Sequence, residues 1–185
     1  MRLYLAGPDV FLNNFGAELL GAKKALCARY GVEGVSPMDG QLAPGGLDPF
    51  AQGVAIYTAN VRHMRSCDGV IANMTPFRGI SMDVGTAFEM GFMAAAGKPV
   101  LGYSNVTDSY AVRAESYYRG RHHEGVDRYT EGTSIESFDM TDNLMMAGAV
   151  HASGFEVVRC RVAAGQELTA LEGFEACLRQ LQRRR

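Results

Sequence analysis

Charge of one sign is scarce in this chain. Its 185 residues carry 18 lysines and arginines against 20 aspartates and glutamates, a net charge of −2. No basic field is available to hold a phosphate backbone, so nucleic acid is not an expected partner. The run Arg183-Arg184-Arg185 follows a helical pattern, where cations suit the negative end of the helix dipole. Paired cysteines are also missing. Cys27, Cys67, Cys160 and Cys177 lie far apart with no CxxC spacing, which excludes a thiolate metal cage and a disulfide framework and leaves free thiols in a reducing compartment. No apolar run approaches the roughly 18 residues a membrane span needs. The start, Met1 to Pro8, turns at Gly7-Pro8 too early for a signal peptide, and a cytoplasmic location is expected. Three motifs are absent as well. No Gly-x-Gly-x-x-Gly follows the first apolar run, there is no Gly-Lys-Ser/Thr phosphate loop, and there is no Gly-x-Ser-x-Gly elbow. Their absence argues against dehydrogenases, kinases and esterases.

What remains is ordinary for a soluble globular protein, with 47% hydrophobic and 21% charged residues. The length predicts one domain with a sizeable core. Short apolar runs at 2–6, 32–36, 69–74 and 98–103 read as buried strands, each stopped by glycine, proline or asparagine. Between them, helical patterns run from Asn13 or Asn14 as cap to about Tyr30, closed by Gly31, then over 50–67, and from Val84 to Gly97. In the second of these, Val54, Ile56, Tyr57, Val61 and Met64 are spaced for packing, with Tyr57 read as core. This alternation predicts a parallel sheet with helices on both faces. A helix from Asp142 to about Ala152, a fifth strand at 155–162 and a last helix at 168–181 complete the pattern. Residues 104–137 break it. They form a polar excursion with Arg113, His122 and His123, read as functional or flexible and as a candidate lid. The adjacent histidines are read as pointing apart into water rather than holding a metal.

The segment from Pro76 to Gly91 stands out. Asp83 is a good N-cap with Thr86 three residues on. From Val84 to Gly97, Glu89 is the only ionisable side chain. Val84, Ala87, Phe88, Gly91 and Ala95 share one helical face, and Glu89 stands at its edge. Burying a lone carboxylate costs several kcal/mol unless it is paired or hydrogen-bonded. Glu89 is therefore a salt-bridged structural acid, a solvated edge, or an acid that faces a ligand. Gly85, one turn earlier, leaves that side of the helix without bulk. In open parallel sheets ligands bind beyond the C-terminal strand ends, where Gly7-Pro8-Asp9, residues 36–41 and residues 73–83 lie. Carboxylates in a cleft are the working parts of glycosyl transfer, because the transition state is positive at the anomeric carbon.

Several motifs in order resemble the nucleoside 2-deoxyribosyltransferase family. Leu5-Ala6-Gly7-Pro8-Asp9-Val10-Phe11 resembles its first strand and loop, and Cys67-Asp68-Gly69-Val70-Ile71-Ala72-Asn73-Met74 its third strand. Pro76-Phe77-Arg78-Gly79 with Asp83-Val84-Gly85-Thr86-Ala87-Phe88-Glu89-Met90-Gly91 resembles its active-site loop and helix. Gly97-Lys98-Pro99-Val100 and Asp142-Asn143-Leu144-Met145 follow as they do there. The resemblance implies an α/β, flavodoxin-like three-layer sandwich with a central parallel sheet of about five strands. It implies exchange of bases on 2′-deoxyribonucleosides without metal or organic cofactor, the partners being the nucleoside and a free nucleobase. Carried over, Glu89 is the nucleophile that forms a covalent deoxyribosyl intermediate, Asp83 holds the sugar hydroxyls, and Tyr4 orients Glu89. Asp39 and Gln41 match the base-binding turn. Gly7, Asn60, Phe77, Arg78, Gly79 and Gly85 complete the expected substrate-binding set. Asn143 is expected to reach a neighbouring subunit's site, which makes a homo-oligomer necessary.

Asn60 departs from the members that carry an aspartate there to protonate the base. An amide supplies no proton readily, which leaves Asp39 or a water. Two other functions share the cleft. A hydrolase would pass the same intermediate to water, and one branch does so on deoxynucleoside 5′-monophosphates. A non-catalytic sensor would only bind the nucleoside. Asp9, expected where a 5′-phosphate would sit, favours nucleosides over nucleotides.

Overall fold

The computed structural model describes residues 1–40, 46–119 and 134–184. Gln41 and the His122-His123 pair lie outside the described residues. Strands β3 (Gly69–Asn73) and β4 (Val100–Ser104) are buried throughout and β1 (Arg2–Ala6) is buried after Arg2, as central parallel strands flanked by helices must be. The short β2 (Glu33–Val35), of which only Val35 is buried, and β5 (Val158–Arg159) form the two edges. The five strands form one all-parallel sheet in the order β2-β1-β3-β4-β5. The expected fold class is the one observed. The fifth strand is shorter than the apolar run 155–162 suggests, because only Val158 and Arg159 pair with β4.

Helices α1 (Ala17–Arg29) and α6 (Glu172–Gln182) pack on one face of the sheet. Helices α2 (Pro49–Ser66), α3 (Val84–Ala95) and α5 (Leu144–Ala152) pack on the other. The core between the layers includes Leu3, Tyr4, Leu5, Met64, Ile71, Met90, Met93 and Leu101. Each large apolar side chain buried there stabilises the fold by about 1.5–3 kcal/mol over exposure. Cys27, Cys67 and Cys177 are buried free thiols and Cys160 is a half-buried one. Among the described residues no helix is long and apolar enough to cross a membrane.

Three local readings are corrected. The first helix does not start at Asn13 or Asn14. Two 3₁₀ turns, Pro8–Phe11 and Asn13–Gly16, come first, and α1 begins after Gly16. Gly16 has φ +66°, and a Cβ there would lie 2.3 Å from the carbonyl oxygen of Asp9, so only glycine lets the chain turn that tightly. Second, the apolar face read for α3 is turned largely to solvent, with only Ala87 of it packed against the core. Val84 is 84% and Phe88 52% exposed, while Thr86, Met90 and Met93 face the sheet. Tyr57 is likewise exposed rather than core, its ring 6.2 Å from that of Phe88. Third, residues 104–137 are not one irregular excursion, since α4 (Tyr110–Arg119) occupies part of them.

Candidate active site

The sheet reverses its direction of winding between β1 and β3, with β2 on one side and β4 on the other. This is the switch point at which doubly wound sheets leave a crevice at the C-terminal strand ends. A cavity of about 410 Å³ opens there, a volume in the range of small-molecule sites. Gly7, Val10 and Phe11 wall it beyond β1, and Pro37 and Met38 beyond β2. Ile56 and Asn60 enter from α2, one helical turn apart. Asp83, Gly85 and Glu89 come from the start of α3. Among the described residues no lysine or arginine lines it.

Asp83 caps α3. Its Oδ2 accepts from the Thr86 backbone N at 2.9 Å and from Thr86 Oγ1 at 3.0 Å. The bond holds the carboxylate at the mouth of the helix, where the dipole favours negative charge. Glu89 is partly buried beside the cavity, and its Oε1 accepts a hydrogen bond from the Tyr4 hydroxyl at 2.7 Å. Tyr4 is fully buried in β1, so this bond is what ties the acid to the sheet. Burial raises the Glu89 carboxyl to about 7. The Tyr4 bond works against that rise and the nearby Asp83 charge adds to it. Burial and the facing glutamate push the Tyr4 phenol far above its ordinary value, so it stays a donor. An acid of this kind is half ionised near neutral pH and is desolvated, which makes it a good nucleophile toward a cationic carbon.

Gly85 completes this arrangement. A Cβ added there would lie 3.0 Å from Asp83 Oδ2. Helical Gly→Ala changes ordinarily stabilise by about 0.5–1 kcal/mol. Gly85→Ala is therefore expected to keep or raise the melting temperature while displacing Asp83 and narrowing the cavity. Turnover of a bound substrate should fall by roughly tenfold or more, as small misplacements at a reacting centre do. Thermal melts and steady-state kinetics on the same preparation check it, and wild-type turnover in the variant would refute the crowding argument.

Other candidate positions lie away from the cavity. Asp39 forms an ion pair with Lys24 and accepts from the Ser36 backbone N at 3.0 Å, which makes it a turn-holding group rather than a cavity-facing one. Phe77 stacks on Phe11 with ring centroids 5.4 Å apart, and the Arg78 guanidinium covers both rings at 4.7 Å. This stack forms the rim, since Phe11 is a wall residue. Gly79 is exposed and lies toward α4. Asn143 is exposed at the start of α5, where its Oδ1 accepts from Met145 N at 3.0 Å and its Nδ2 donates to Glu136 at 2.7 Å. Asp9 is not at the cavity, contrary to expectation. It is 1% exposed and bound to the equally buried Lys23 at 2.5 Å, on the side of the sheet where Tyr103 and Phe174 flank the ammonium. Val10, Pro37 and Met38 are wall residues that the sequence did not single out, and Ile56, read there as a packing residue, is another. The helical spacing of Ile56 from Asn60 was the available signal.

An all-parallel sheet with a carboxylate-lined crevice at its switch point defines a flavodoxin-like α/β protein whose crevice has the volume of a small-molecule site. The model of the nucleoside 2-deoxyribosyltransferase family matches residues 3–145, and the chain belongs to that family. A 2-deoxyribosyltransferase from Leishmania mexicana is similar in structure at a TM-score of 0.61 and 31% identity, over 78% of this chain and 84% of that one. The enzyme from Bacillus psychrosaccharolyticus, with a TM-score of 0.51 and 20% identity over 81% and 82% of the two chains, shares the fold. So does a conserved protein from Enterococcus faecalis, with a TM-score of 0.55 and 17% identity over 98% of each. In sequence the chain is 37% identical over 156 residues to an uncharacterized protein of Schizosaccharomyces pombe, covering 83% of this chain and 71% of that protein.

Proposed function

We propose that the protein transfers 2-deoxyribose between nucleobases through a covalent deoxyribosyl-Glu89 intermediate. One observation carries the reading: a desolvated carboxylate, hydrogen-bonded by a buried tyrosine and paired with no described cation, faces a nucleoside-sized cavity. In the first half-reaction a Glu89 oxygen bonds to C1′ as the C1′–N bond breaks, and the electron pair leaves on the base. In the second, a ring nitrogen of another base attacks C1′, its N–H proton passes to solvent, and Glu89 departs as carboxylate. The negative charge of Glu89 and Asp83 stabilises the positive transition state. A 2′-hydroxyl would withdraw electrons from that centre, so deoxynucleosides react faster than ribonucleosides.

Within this reading Asp83 holds the sugar hydroxyls, Tyr4 orients Glu89, and Gly7, Asn60 and Gly85 line the substrate. Phe77, Arg78 and Gly79 belong to the rim, and Gln41 to the turn that reads the base. Asp39, held by Lys24, supports that turn, and solvent rather than Asp39 gives the leaving base its proton. The cavity's two carboxylates and its lack of described cations favour nucleosides over 5′-monophosphates. This replaces the argument from Asp9. We further read the protein as a homo-oligomer. The exposed apolar residues Val84 and Phe88 beside the cavity support a subunit contact, through which Asn143 would reach a neighbour's sugar.

The test is incubation with deoxyinosine and adenine or cytosine, followed by chromatography. The expected result is a new deoxynucleoside carrying the added base. Release of free deoxyribose regardless of acceptor would make the protein a hydrolase, and tight nucleoside binding without either product would make it a sensor.

A further inference from the structure

The loop that delivers Asp83 has little holding it from within. Between Thr75 and Asp83 a turn closes with Phe77 N donating to Ser81 O at 2.9 Å, and Arg78 takes φ +55°. Its last residues are held from behind, by side chains that lie outside the cavity. Asp142 Oδ2 accepts from the Met82 backbone N at 2.8 Å, immediately before Asp83. Its other oxygen accepts from Asn143 N at 2.8 Å, immediately before α5. Arg113 of α4 donates from Nε to the Ile80 carbonyl at 2.9 Å, from Nη1 to the Asp108 carbonyl at 2.6 Å and from Nη2 to the Thr141 carbonyl at 2.7 Å. The same Nη2 stands 3.5 Å from Asp142 Oδ2.

Asp142 is 2% exposed. A buried carboxylate and guanidinium together cost several kcal/mol of desolvation, and apolar residues would pack there as well or better. What an apolar pair could not do is hold two backbone groups of the loop, Ile80 O and Met82 N, at defined positions. The guanidinium fork meets three carbonyls from three segments at once, which lysine's single ammonium cannot reproduce.

We propose that Arg113 and Asp142 are positioning residues of the reaction, a clamp that sets where Asp83 and the N-terminus of α3 stand relative to Glu89. The inference rests on the proposed transfer. It also gives α4 the role of a strut in place of the lid expected for this part of the chain. Because one Asp142 carboxylate binds both the loop and the Asn143 backbone, the clamp also ties the subunit's own site to the residue proposed to serve a neighbour.

The test uses the full chain with Asp142→Asn, which keeps the shape of the side chain, and Arg113→Lys, which keeps the charge. Three quantities are measured well below each variant's melting temperature. They are the single-turnover rate of Glu89 labelling by a 2-fluoro-2-deoxy nucleoside, the midpoint of the Glu89 carboxyl titration followed by ¹³C NMR, and amide exchange along the chain. Tyr4 and Asp83 are the described titratable groups that act on Glu89. If Asp83 is displaced, its charge no longer raises the Glu89 carboxyl, and the midpoint falls.

The expected result is a labelling rate lowered by about 10- to 100-fold, the scale of a misplacement near 1 Å. It is accompanied by a lower midpoint and faster exchange confined to residues 76–84. Wild-type rate and midpoint in both variants would overturn the clamp. So would a rate that falls only with the folded fraction while the midpoint stays in place. Should wild-type protein form no adduct, the transfer reading fails. The titration and exchange, which need no turnover, still decide whether these two residues place Asp83.

Discussion

Glu89→Ala is expected to abolish covalent labelling by a 2-fluoro-2-deoxy nucleoside and to lower base exchange by about 10³-fold or more, the scale on which losing a covalent nucleophile acts. Fluorine at C2 slows both formation and breakdown of the intermediate, while a good leaving base keeps formation fast enough for the adduct to accumulate. Intact-mass spectrometry of wild-type protein should then show one added fluorodeoxyribosyl group, and peptide mapping should place it on Glu89. The alanine variant should fold, since its side chain leaves a void that opens into an existing cavity. Its Tyr4 hydroxyl loses an acceptor, at a cost of about 1–3 kcal/mol if no water replaces it. An adduct that persists in the variant would remove Glu89 from the chemistry and return it to a structural role.

Glu89→Gln should make the protein more stable at pH 8 and hardly more stable at pH 5. The folded chain holds the Glu89 carboxyl at about 7, against an ordinary 4.5. Between these values the native state keeps a proton that the unfolded chain releases, so stability is fully present below about 4.5 and declines as pH rises to about 7. At roughly 1.4 kcal/mol per pH unit the loss approaches about 3.5 kcal/mol, less what solvent in the cavity screens. Glutamine keeps an acceptor for Tyr4 and carries no charge. In a chain of this size that upper bound corresponds to roughly 7–14 °C in melting temperature at pH 8, and screening by solvent lowers it. Melts across the pH range decide it, and equal stability of the two proteins at pH 8 would show that the acid is not held in a desolvated state.

Both predictions concern a residue that stood out in the sequence. Glu89 could be found because it is a lone acid in an apolar run, and Asp83 because an acid three residues before a helical threonine is a capping signal. The strands could be found because parallel strands buried on both faces leave continuous apolar runs. The side of α3 that meets the sheet could not be found this way. Its solvent face carries Val84 and Phe88 and its buried face carries Thr86, Met90 and Met93, so a helix apolar nearly all round gives no contrast to read. Asp39 and Asp9 looked alike as acids at strand ends. Neither lines the cavity, because Lys23 holds Asp9 and Lys24 holds Asp39, two adjacent residues of α1. Asp142 and Arg113 were hidden for another reason. Their work is done on backbone groups of residues far along the chain, and no local pattern records that.

The bond between Tyr4 and Glu89 joins residues 85 positions apart, and the β1–β3 partners such as Leu3 and Gly69 are 66 positions apart. Neither contact can be made by a partly synthesised or partly refolded chain that has formed its helices alone. Helical signal should therefore return early during refolding. The acid acquires its tyrosine only when the two central strands have found each other, so competence should not return before that pairing.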